Sequence, residues 1–140
     1  MEITVNYWAV LVAAIASMVV GSVWYGVLFR KSWMEMMGLT PDSMKEMNMT
    51  VNKAYLIQFI ASLLMAYVLD HTLIYASAFT GASGLRAGLM VGFWNWLGFI
   101  APITLGVVLW EGKPWKLWCL NASNYLVSLL LMGVVLSAWQ

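Results

Sequence analysis

Residues Gly84 to Trp115 read GLRAGLMVGFWNWLGFIAPITLGVVLWEGKPW. The stretch is long enough to cross a bilayer as a helix, which takes about 20 apolar residues. Gly84, Gly88, Gly92, Asn95, Phe99, Pro102 and Gly106 recur at helical spacing and so share one face. A face this small predicts close approach by another helix, as in small-xxx-small packing within membranes. Pro102 has no backbone donor, so a kink is expected where the Gly98 carbonyl loses its partner.

The composition around that stretch points the same way. The chain has 140 residues, of which 63% are hydrophobic and 9% charged. A soluble domain is roughly a quarter charged, so that class is excluded. Long apolar segments leave no room for a second domain, and one transmembrane domain is expected over residues 1–140. The net charge of +1 gives no argument for nucleic acid, and no such partner is expected. Cys119 stands alone, which rules out an intrachain disulfide, and it reads as apolar packing at the start of the last helix. The first basic residue is Arg30, so the basic start of a signal peptide is missing. Ala14-Ile15-Ala16 resembles a cleavage site, yet the first segment reads as a retained membrane helix.

Taken in order, the sequence predicts an all-α integral membrane protein, a four-transmembrane-helix bundle. The helices are expected over about 5–29, 54–75, 85–110 and 115–138, with an amphipathic connection over 30–53. Tyr7, Trp8, Trp24 and Tyr25 suit the two interfaces of helix one, and Ala13, Ser17 and Gly21 form a second small-residue stripe. In the connection, Gly38 should close a short helix and Thr40-Pro41-Asp42 should start another. Gln58, Ser62, Ala66 and Asp70 stack on one face of helix two. The stripes of helices one and two are the expected partners of the glycine face on helix three, with a second copy of the chain as the alternative.

Arg30, Lys31, Lys45 and Lys53 lie in the first connection, Lys113 and Lys116 flank the third, and Arg86 alone is on the other side. The positive-inside rule then places both termini outside the cytoplasm. A parallel duplication of two helix hairpins is a further reading: Gly21 stands before Lys31-Ser32-Trp33 as Gly106 stands before Lys116-Leu117-Trp118. Chance alignment of apolar segments is the competing explanation.

Few residues could carry chemistry. Asp70, His71 and Arg86 are ionisable candidates on the outer side; intramembrane charge is a functional lead by default, but a structural Asp70–Arg86 tie between helices two and three is favoured. Gln58, Asn95, Asn121, Asn124 and Ser128 could line a polar cavity or could bond to one another as interhelical glue. The methionines from Met34 to Met49 carry thioethers that suit Cu(I), yet they read better as apolar filling on an interfacial helix. No metal, cofactor or catalytic set is expected, because no nucleophile has a base beside it and no metal or phosphate motif occurs.

Several short motifs occur together and in order: Asn6-Tyr7, Gly21-x-x-Trp24-Tyr25, Trp33-x-x-x-Met37-Gly38 and Gly84-Leu85-x-x-Gly88. Leu97-Gly98-Phe99-x-Ala101-Pro102, Glu111-Gly112-Lys113-Pro114-Trp115, Asn121 and Tyr125-Leu126-x-Ser128 follow. On these the chain resembles, over almost its whole length, the bacterial membrane-protein family catalogued as domain of unknown function 1761. The resemblance implies a compact four-helix bundle in a bacterial inner membrane and brings no activity or catalytic residues. The sequence thus favours a non-enzymatic membrane protein that contacts lipid, assembles with itself or a partner membrane protein, and binds or passes a small or lipophilic molecule. The alternative is a structural or accessory subunit that only packs against a partner.

Overall fold

A computed structural model describes residues 3–140. Four helices in it are long and apolar enough to cross a membrane: Tyr7–Leu28, Val51–Thr80, Gly84–Leu109 and Trp115–Ser137, here helices one to four. An even number of crossings puts both termini on one side, called here the terminal side, and Arg30 on the opposite, basic side. Asn6 caps helix one by accepting from the backbone N–H groups of Trp8 and Ala9. Gly38 ends the short helix Arg30–Met37 at φ 69°, a left-handed conformation that costs glycine nothing. Thr40 and Ser43 then form a reciprocal cap on Pro41–Lys45.

Helix two is longer than the expected 54–75. Thr50 caps it by accepting from Lys53, and it continues past Tyr75 until Gly81 turns left-handed at φ 70°. The extra turns at Ala76–Thr80 are held partly by the Thr80 hydroxyl on the Ala76 carbonyl. At 30 residues the helix is about 45 Å long and exceeds the hydrocarbon thickness, so it must tilt or project.

Helix three is not one regular helix. Trp96–Ile100 is a π turn, closed by the Ala101 N–H on the Trp96 carbonyl, and it lies immediately ahead of the Pro102 ring. The wide turn and a second break at Leu105 replace the single kink expected from Pro102. The break at Leu105 sends its N–H to the Pro102 carbonyl and leaves the Ala101 carbonyl free to accept from the Trp118 indole at 3.3 Å. Helix one has a matching π turn at Trp24–Leu28. The two π turns share a Trp-x-Gly start, Trp24-Tyr25-Gly26 and Trp96-Leu97-Gly98.

Helix four is the hub of the bundle. Its membrane window is 44% buried, against 17% for helices one and three, which flank it, and 28% for helix two. The core sits in the terminal half: Ala9, Val10 and Ala13 of helix one, Ala66, Leu69 and Leu73 of helix two, Ala87 and Val91 of helix three, and Leu129, Met132 and Leu136 of helix four.

Gly88 and Gly92 of helix three lie against helix four, not against the small stripes of helices one and two. A Cβ on Gly88 would collide with the Gly133 carbonyl oxygen and stand 2.6 Å from the Ser137 hydroxyl. One on Gly92 would stand 2.6 Å from the Leu129 carbonyl oxygen. The reason is Gly133 with Ser137 four residues on, which lets helix four bring its own backbone to the contact. The other members of the stripe do different work. Gly84 starts helix three at φ 58°, Pro102 is exposed, and a Cβ at Gly106 would touch only the Trp110 ring at 3.8 Å.

Candidate functional site

In the basic-side half the helices part. Helix one contributes Ser17, Met18, Gly21, Ser22 and Tyr25, helix two contributes Tyr55, Gln58, Ser62 and Met65, and helix four contributes Asn124, Tyr125 and Ser128. Together they line a partly open cavity of about 230 Å³. The volume would hold several waters, each occupying about 30 Å³ in the liquid, or one small organic group. No charged side chain lines it, while hydroxyls and amides come from all three helices.

Local sequence explains the space. Ser17 and Gly21 are one turn apart on helix one and carry little volume; a Cβ on Gly21 would meet nothing within 4 Å. Ser62 is buried on helix two and reaches only the Met18 sulfur, at 3.7 Å. Asn124 and Ser128, one turn apart on helix four, are both buried. The Asn124 Oδ1 atom is buried and has no hydrogen-bond partner in the protein. An unsatisfied buried acceptor of this kind costs about 1–3 kcal/mol.

Hydrogen bonds brace the walls. Tyr25 donates to Asn121 Oδ1 at 2.8 Å, and the Trp24 indole donates to the Leu120 carbonyl at 3.0 Å. The Trp96 indole donates to the Ala122 carbonyl at 2.8 Å from the other flank. Ser22 and Tyr55 share a hydrogen bond of 3.3 Å between helices one and two.

Of the five residues expected to form a polar cavity, three line this one: Gln58, Asn124 and Ser128. Asn121 stands behind the wall, bonded to Tyr25. Asn95 is on helix three, where its amide donates to its own Val91 carbonyl at 2.9 Å. It lines a separate apolar groove with Leu64, Val68 and Phe99, because the π turn that follows carries helix three away from the cavity. Among the described residues Asn124 bonds to no other amide through Oδ1.

The expected Asp70–Arg86 tie is replaced. Asp70 is 2% exposed and accepts from Gln140 Nε2 at 3.2 Å, which joins helix two to the end of helix four. Arg86 is exposed, and among the described residues no ion pair links it to Asp70. Asp70 lies on the face of helix two that meets the end of helix four. His71 bonds the Tyr67 carbonyl through Nδ1 at 2.8 Å and is tied to its own helix. Cys119 is exposed and so is not the packing residue expected from its apolar setting.

Sequence reasoning missed Ser22, Tyr55 and Gly133. The Gly133-x-x-x-Ser137 spacing could have found the third, since it repeats the small-residue pattern of helix three. Nothing local marks Tyr55, which reads as one more interfacial aromatic.

Four helices long and apolar enough to cross a membrane, three of them around one cavity, fit a multi-pass membrane protein. The chain belongs to the family described as a protein of unknown function (DUF1761), whose family model matches residues 8–137. No curated protein and no solved structure matches it at the stringency applied.

Proposed function

We propose that this is a non-enzymatic membrane protein that binds a small uncharged molecule in the cavity between helices one, two and four. The observation that carries the reading is the lining, where hydroxyls and amides of three apolar helices, Asn124 among them, converge on one space with no charged side chain. A ligand hydroxyl or amide would find hydrogen-bond partners there, whereas a charged ligand would find no counter-ion in the lining. The lack of a nucleophile paired with a base supports binding over catalysis. Self-association through Gly88 and Gly92 loses its support, because helix four already occupies that face.

The positive-inside rule supports a cytoplasmic placement of the basic side, with the cavity in the cytoplasmic half of the membrane. Single cysteines at Ser43 and Ser83, in a Cys119→Ser background, should then label from opposite faces of intact cells, Ser83 from outside. The test of the binding reading is native mass spectrometry of protein taken directly from membranes. Wild type should retain a small uncharged species that Gly21→Leu, which fills the cavity, releases. Equal spectra for two well-folded proteins would reject the reading.

A further inference from the structure

The cavity does not end at its own walls. Between helices one and two lies an apolar groove of about 480 Å³, lined by Ile15, Val19, Val23, Leu56 and Phe59. Met18, Ser22 and Tyr55 belong to both the groove and the cavity. They form a shared layer between the cavity and a surface that faces lipid. Val19 is 56% exposed and Leu56 59%, so in a bilayer this groove meets acyl chains directly. The layer itself is weak. Two long contacts cross it: Ser22–Tyr55 at 3.3 Å, where hydroxyls usually approach to about 2.7–2.8 Å, and the Ser62 hydroxyl on the Met18 sulfur at 3.7 Å. Met18 beside it is unbranched and readily changes shape.

Resting on the cavity reading above, we infer that the ligand is an uncharged amphiphile with a single hydrocarbon tail, and that it enters sideways from the bilayer between helices one and two. The head, bearing hydroxyl or amide groups, sits in the cavity against Asn124 and Ser128. The tail stays in the groove, which from Ile15 to Val23 runs about 12 Å along helix one. Ser22 and Tyr55 open to admit the head and close on the neck of the bound molecule. Continuity sets this route. The groove on the other flank, between helices two and three, meets the cavity only at Met65 and shares no hydrogen-bonding residue with it. Charge sets the head group, since neither lining contains an ionised side chain.

The experiment uses the full chain in nanodiscs and a monoacylglycerol carrying a diazirine on its acyl chain. After irradiation, label should map to Ile15, Val19, Leu56 and Phe59, and excess unlabelled monoacylglycerol should remove it. A fatty acid, ionised at neutral pH, should compete poorly. Filling the cavity by Gly21→Leu, or from helix two by Ser62→Leu, should abolish the competed label. Tyr55→Phe should speed exchange of the probe roughly five-fold, the worth of one neutral hydrogen bond, and leave the labelled positions unchanged. Competed label at Leu64, Val68 and Phe99 instead would overturn the lateral route and leave the cavity reading standing. Label in the first groove that neither competitor nor cavity-filling variants reduce is ordinary lipid contact and would overturn this inference. A fatty acid that competes as well as the monoacylglycerol would overturn the uncharged head.

Discussion

A Cβ added to Gly92 would stand 2.6 Å from the Leu129 carbonyl oxygen, whereas one added to Gly21 would meet nothing within 4 Å. Both glycines belong to small-residue stripes at the same helical spacing. Their meaning differs because of what faces them. Across from Gly88 and Gly92, helix four brings Gly133 and its own backbone, and the terminal half closes. Across from Ser17 and Gly21, helices two and four bring Ser62, Asn124 and Ser128, which do not fill the space, and the basic-side half stays open. A small-residue face therefore specifies that side chains are absent; the opposite helix decides whether backbone takes the room or leaves it open.

The sharpest way to break this comparison is at the closed half. Gly88→Leu or Gly133→Leu should be the most damaging substitution, since each drives a side chain into backbone atoms of the facing helix, which cannot move aside. Failure to purify as a monodisperse, helical protein in mild detergent is expected. Gly92→Leu should follow, costing upward of about 3 kcal/mol by overpacking, seen as a large fall in thermal midpoint. Gly21→Leu in the same detergent should be close to wild type. A Gly21→Leu variant as unstable as Gly92→Leu would mean that the two stripes are equivalent.

Smaller effects sharpen the picture at the ends. Gln140→Ala should cost about 1 kcal/mol by removing the bond to buried Asp70, while Arg86→Ala should cost nothing measurable. A double-mutant cycle between Asp70 and Gln140 should show coupling, and one between Asp70 and Arg86 should show none. Trp94, which is 61% exposed, should tolerate replacement by Leu with the least change of all in thermal midpoint.

The number and apolar character of the helices were legible because bilayer thickness imposes a length that composition reveals. Helix pairing was not. The glycines of helix three announced a close contact, but choosing helix four over helices one and two required Gly133, whose single glycine is inconspicuous among leucines. The site was half legible. Asn124, Ser128 and Gln58 stood out as amides and hydroxyls on apolar helices. Asn95 and Asn121 looked equivalent to them and were separated only by the π turn of helix three and by the reach of Tyr25. The sequence pairs Asp70 with Arg86, the cation on the same side of the membrane, while its partner is Gln140, which no local pattern connects to it.

The central claim is that the basic-side half encloses an occupied polar cavity. The most direct measurement is a high-resolution experimental structure of the wild-type chain in a lipid nanodisc. Helices one, two and four should stand apart there, with non-protein density within hydrogen-bonding distance of the hydroxyls and amides that line the cavity and a tail leading out past Ser22 and Tyr55. Helices closed on one another, with the Asn124 oxygen accepting from Gln58 or Ser62 and no space beside Gly21, would contradict the account.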